Sequence, residues 1–320
     1  MILTFPSDAD LKRVERRITA AYTQAGRELY GKWQDYLEKA EQAVKRYQDM
    51  YDAALATGDV RKIAIAKKNL ERAKLLNTVF NKRFKNMVEE STERIAHAGE
   101  IALQYANGML PKIYAANYNA AMQGIAEDVP GYSFDLVNED SVKYLMQYDR
   151  DLLPMQKTLN VPKDMEWSKR RINAEVTQGI LQGESVPKLA DRLMHAVGMS
   201  RASAIRNART MFTGVENKGH LDAYQRAQDD GIELEYEWMA TPDAHTRDSH
   251  RRLDGYCIQR GEIFPNGCEY PGDPFGPPAE VYNCRCRMVA RLVGFPRDQS
   301  GRFMRLEDGE TYDDWKTRYD

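Results

Sequence analysis

GIELEYEWMATPD, residues 231–243, is where the period of the sequence changes. Ile232, Leu234, Tyr236 and Trp238 alternate with Glu233, Glu235 and Glu237, so one face is apolar and the other acidic. A period of two predicts a strand with one buried face. Upstream of it, apolar residues recur every three or four positions, the helical period. The chain therefore reads as mainly α with a small α+β C-terminal module. In order, it has a long N-terminal helical hairpin, a helical middle region, and a loop-rich C-terminal domain around a short antiparallel sheet.

Toward the N-terminus, Leu11, Val14, Ile18, Tyr22, Leu29, Trp33, Leu37, Ala40, Val44, Tyr47 and Tyr51 predict one long amphipathic helix starting near Asp8. Gly58-Asp59 reads as a stop followed by an N-cap, and a second helix is expected from Val60 toward Gly99 or beyond. Two helices of about 40 residues would each be about 60 Å long and are expected to pair as an antiparallel hairpin. Residues 128–166 carry Pro and Gly punctuation and read as a connector around a short helix at SVKYLMQYDRDLL. Trp167–Leu181 reads as helix and Gly183, Ser185 and Pro187 as a turn. Ser200 reads as the cap of a last helix, which Asp230-Gly231 ends. The expected organisation is an arm at 1–127, a connector at 128–166, a helical stretch at 167–230, the module at 231–295 and a tail at 296–320. The tail is expected to hold a short strand at Arg302–Leu306 and an acidic closing helix.

Of 320 residues, 46 are Lys or Arg and 48 are Asp or Glu, and the net charge of −2 gives no global attraction to nucleic acid. No apolar run approaches the ~18 residues of a membrane span, so no membrane partner is expected. The opening segment has too few apolar residues for a signal peptide, and the chain is expected to be cytoplasmic where it is made. One stretch departs from this balance. Residues 61–88 set Arg61, Lys62, Lys67, Lys68, Arg72, Lys74, Lys82, Arg83 and Lys85 against Glu71 alone, nine cations less one anion, a net of +8. Such a rod suits the phosphates of double-stranded DNA or an acidic protein surface. The alternative is that Glu28, Asp35, Glu38 and Glu41 of the first helix neutralise it.

Residues 241–278 are rich in Pro and Gly and poor in apolar side chains, so the segment needs a tie to hold one conformation. NCRCRMVARLVGF, residues 283–295, offers one. If extended, Cys284 and Cys286 present both sulfurs on one face while Arg285 and Arg287 point away. Two thiolates on one face are half of a tetrahedral zinc site, and His250, Cys257 and Cys268 are candidates to complete it, with His245 behind them. Four cysteines form no disulfide framework. Their burial as small apolar side chains is the other reading. Asp243, His245, Arg247, His250 and Asp254 also crowd together, but adjacent Ser249 and His250 rarely acquire nucleophile–base geometry. No catalytic residue is assigned. Asp243 is expected to cap the turn after Pro242, Arg247 to pair with an acid, and Leu253 and Phe264 to anchor the loop.

WMATPDAHTRDSHRRLDGYCIQRGEIF (Trp238–Phe264), YPGDP (Tyr270–Pro274) and NCRC (Asn283–Cys286) together resemble the C-terminal region of the phage Mu F-type head-morphogenesis family, the minor capsid proteins of tailed phages. Its pattern is a Trp-bearing strand, Asp-x-x-x-Arg-x-x-His-x-x-Leu-x-Gly, a Phe, a Pro-Gly-Asp loop and Asn-Cys-Arg-Cys. Trp238, Asp243, Arg247, His250, Leu253, Gly255, Phe264, Asn283, Cys284, Arg285 and Cys286 fill those places. Ala208-Arg209-Thr210-Met211 departs from it, since the family often has Arg-Thr-Glu there. The resemblance implies a virion protein that associates with the portal vertex during procapsid assembly in the host cytoplasm. Its implied partners are portal protein, capsid or scaffold proteins and packaged DNA, with the basic rod as a contact for portal or DNA. A zinc-dependent enzyme or toxin-like effector carried in the particle is the alternative.

Overall fold

The computed structural model describes residues 8–76, 82–129, 131–148, 161–182, 184 and 186–293. Its elements are α1 (Asp8–Thr57), α2 (Val60–Leu76), α3 (Lys82–Asp128), α4 (Glu139–Tyr148), α5 (Val161–Leu181), α6 (Val186–Asp229), β1 (Leu234–Met239), α7 (Asp248–Arg252), β2 (Cys257–Ile258), α8 (Pro278–Val281) and β3 (Arg287–Leu292). The chain is mainly α with a small antiparallel sheet at its C-terminal side. The expected strand at Arg302–Leu306 and the closing helix lie outside the described residues. So do Gly183 and Ser185 of the expected turn.

Two compact units divide the fold. One gathers residues 16–103 and 158–204. In it α1 and α3 run antiparallel, with Glu28 paired to Arg94 and Lys32 to Glu90. Trp33 is fully buried, donates from Nε1 to Ser91 Oγ at 2.8 Å and meets the Phe84 ring edge-on at 5.9 Å. Gly26 lets α6 lie close against α1, because a Cβ there would stand 2.7 Å from Met194 Cε. Gly58, at φ +66°, ends α1, and Asp59 Oδ1 accepts from the Arg61 and Lys62 amides at 3.0 and 3.3 Å to start α2.

The other unit gathers residues 1–15, 104–157 and 205–320. Here α3 and α6 approach closely at Gly219, where a Cβ would meet the Tyr114 carbonyl oxygen at 2.9 Å. Asp222 accepts from Tyr114 Oη at 2.7 Å and from Lys218 Nζ at 2.6 Å. The sheet order is β2-β1-β3, with Tyr236 opposite Ile258 on one side and Trp238 opposite Met288 on the other. Trp238, Tyr236, Phe212 and Phe264 fill its core.

Three expectations need correction. Ser200 caps nothing: α6 runs through it, and its hydroxyl donates back to the Ala196 carbonyl at 3.4 Å. The acidic face of β1 is not all solvated, since Glu237 is buried and ion-paired with Arg291 of β3. The Cys284–Cys286 pair precedes β3 instead of lying in it, after Asn283 at φ +58°.

Candidate metal centre

The site is assembled from three short pieces of the module. α7 supplies His250, fully buried beneath the edge of Trp238 with ring centroids 5.1 Å apart. The segment entering β3 supplies Cys284 and Cys286, and α8 supplies Glu280. His250 Nδ1 lies 3.7 Å from Cys284 Sγ and 3.3 Å from Cys286 Sγ. The ligand atoms of these three residues all fall within 4.8 Å of one another. His250 Nε2 lies 2.9 Å from Glu280 Oε2, off the line of an ideal hydrogen bond, and Ser249 Oγ donates to that same oxygen at 2.9 Å. A carboxylate behind the imidazole fixes which ring nitrogen faces the sulfurs.

Electrostatics divides the two thiols. The hydrogen bond from Cys284 pushes Cys286 well below the ordinary thiol range, with His250 assisting. The same bond, with burial, pushes Cys284 up. Two sulfurs and one imidazole are soft donors close enough to bind a metal ion, and they fit Zn²⁺, whose binding would draw the proton from Cys284 as well. Cys286, His250 and Glu280 also stand in the order of a thiol nucleophile, its base and an orienting acid. Cys286 and His250 are only 2% and 1% exposed, so no substrate reaches them in this conformation.

Helix α6 fixes the cysteine segment from the side. Thr210 Oγ1 accepts from the Asn283 amide at 2.9 Å, and Thr213 Oγ1 donates to the Cys284 carbonyl at 2.8 Å. Asn217 Nδ2 donates to the Cys286 carbonyl at 3.2 Å while its Oδ1 accepts from the Met288 amide at 2.7 Å. His220 Nδ1 meets the Met288 carbonyl at 3.1 Å. These side chains satisfy backbone groups that an edge strand leaves open. From sequence only Thr210 is quoted, within Ala208-Arg209-Thr210-Met211 and without this role, although Thr210, Thr213, Asn217 and His220 mark a polar stripe at helical spacing on an otherwise apolar face. Glu280 was missed as well, and no sequence signal marks it.

The other expected residues take varied places. Cys257 lies in β2 with its Sγ 3.7 Å from the Gly255 carbonyl, and Cys268 is buried, its thiol pushed up to about 12 by burial. Neither joins the His250 group, and exposed His245 does not either. Asp243 accepts from the His245 amide at 2.9 Å and from Arg285 Nη2 at 2.7 Å. Arg285 holds its carboxyl well below the usual range. Arg247 bonds the Tyr282 carbonyl, where an acid was expected. Leu253 and Phe264 are buried anchors, and Gly255 takes φ +78°. Of the basic rod, Lys62 makes a 3.7 Å contact with Asp59. Glu28 and Asp35, expected to neutralise the rod, are engaged by Arg94 and Lys39.

The family described as Phage Mu protein F like protein matches residues 170–289, a span that includes the whole His250–Cys284–Cys286 group. That region is similar to the Mu F-like family. Within curated proteins, the chain is 30% identical over 162 residues to Minor head protein GP7 of Bacillus phage SPP1, covering 48% of this chain and 51% of that one. It is 27% identical over 187 residues to NAD(+)--arginine ADP-ribosyltransferase EFV of Enterococcus faecalis, covering 57% of this chain and 38% of that one. The chain thus spans about half or less of the length of these relatives. No solved structure matches it. The Mu F-like region runs from within α5 to within β3 and so brings α6 and its polar stripe together with the sulfur–imidazole group.

Proposed function

We propose that this chain is a minor head protein of a tailed phage, acting in head morphogenesis and associated with the portal vertex during procapsid assembly. One observation carries the reading: the Mu F-like match covers the part of the fold that encloses His250, Cys284 and Cys286. The relationship to a phage minor head protein supports it. Zn²⁺ held by these three residues would crosslink a segment with little apolar burial of its own, a structural use of the ion. The protein acts by binding, without catalysis. It assembles in the host cytoplasm, enters the virion, and meets portal, capsid or scaffold proteins. The rod from Arg61 to Lys85 is its contact for portal or packaged DNA. The test is a phage lacking the gene. Heads should assemble defectively and be restored by the wild-type chain, and normal infectious particles without the protein would overturn the reading.

A second reading is an effector carried in the particle, favoured by the match to a protein named as an ADP-ribosyltransferase. Substitution of Asp243 or Arg247 separates the two. Loss of assembly supports the head protein, whereas normally assembled particles that lack an activity on the host support the effector.

A further inference from the structure

The α1–α2 hairpin has an unfinished core. From Glu41 to Asn69 not one described side chain is buried, although the flanking Ala40 and Leu70 are. The stretch is not poor in apolar residues, since Tyr47, Met50, Leu55, Val60 and Ile65 all lie in it. Val60 and Ile65 are 79% and 63% exposed. Two helices facing only each other leave part of each apolar stripe uncovered. Most helical stability in proteins comes from burying that stripe. Between the helices, Tyr47, Met50, Lys62, Ile65, Ala66 and Asn69 line a groove of about 170 Å³.

Charge supplies the second observation. Arg61, Lys67, Lys68 and Arg72 form no ion pair among the described residues. Arg61, Ile65, Lys68 and Arg72 follow at intervals of four, three and four, so the exposed isoleucine sits in a row of unneutralised cations. A duplex would use the cations and leave Ile65 and Met50 in water. A second copy of the hairpin would bring the same cations against these.

We propose that this groove receives one amphipathic helix of a partner protein, its apolar stripe bordered by Asp and Glu, which completes a three-helix bundle over residues 41–72. Met50 and Ile65 pack on the incoming stripe while Lys62, Lys68 and Arg72 pair with its acids. At 1.5 Å per residue, about 17 residues of partner helix would match the length of α2. The head-protein reading is needed only to say whose helix it is.

The test uses the full chain and four probes: a labelled peptide of about 21 residues with Leu at helical spacing and Glu elsewhere, the same peptide with Lys for Glu, a short DNA duplex, and phosphatidylserine vesicles. The Glu peptide should bind, and the Lys peptide at least about ten-fold more weakly, a difference of about 1.4 kcal/mol. Ile65→Asp and the pair Lys62→Glu with Arg72→Glu should each weaken the Glu peptide about ten-fold with helicity unchanged. Ile65 is exposed, so its substitution leaves the fold intact. Binding of duplex or vesicles without the Glu peptide would overturn the proposal. So would Glu-peptide binding indifferent to Ile65→Asp, or self-association abolished by it. Each result stands whether or not the chain proves to be a head protein.

Discussion

His220 shows what a single enclosed side chain contributes. Burial pushes its pKa down from 6.5 to about 4, against the hydrogen bond to the Met288 carbonyl, which pulls the other way. The unfolded chain therefore takes up the proton more readily than the folded one. Its contribution is complete above about 6.5 and is lost as pH falls to about 4. At 1.36 kcal/mol per unit, about 3 kcal/mol disappears across that window. Unfolding free energy measured against pH should fall through this range in the wild type and fall less in His220→Gln. Equal slopes would contradict the assignment. Asn217 works by geometry instead: it satisfies the Cys286 carbonyl and the Met288 amide at once. Asn217→Leu leaves both buried and unpaired, a loss of about 2–6 kcal/mol in chemical denaturation at about 1–3 per group. An unchanged midpoint would show that water replaces the amide.

At the scale of elements, the proline-rich loop depends on close approaches to α6. Gly272 has φ +82°, and a Cβ on it would stand 2.8 Å from the Gly214 amide nitrogen. Gly272→Ala should therefore destabilise by more than about 1 kcal/mol, measured by thermal melting, because backbone and not a flexible side chain blocks the methyl. A melting point equal to wild type would mean that the loop swings clear. The same elements show what could be read in advance. Period and caps mark α1, the Gly58-Asp59 turn and β1, because burial of a stripe is a local property of spacing. Ser200 misled because a serine hydroxyl can cap a helix or bond back within one, and only the continuing α6 decides. The cysteine pair and His250 were legible as soft donors in a segment needing a tie. Exclusion of Cys257 and Cys268 was not, because which sulfurs converge depends on how α7 and the segment entering β3 are set. Glu280 and the α6 stripe act across roughly 30 to 70 residues of sequence, a separation that no local pattern encodes.

For the molecule as a whole, the division into units decides how it can be cut. Removing residues 1–126 would strip Met1–Glu15 and part of α3 from the unit that holds the sheet, so that piece is not expected to fold. Replacing residues 41–69 by a short turn removes no buried side chain. This variant should melt within a few degrees of wild type and keep its metal, yet fail to enter heads assembled in an infected cell. Its normal incorporation would show that the hairpin end has no part in assembly. Elemental analysis of the purified full chain, beside His250→Ala, should give about one zinc per chain in the wild type and almost none in the variant. Wild-type protein free of zinc, or a variant that retains it fully, would contradict the account.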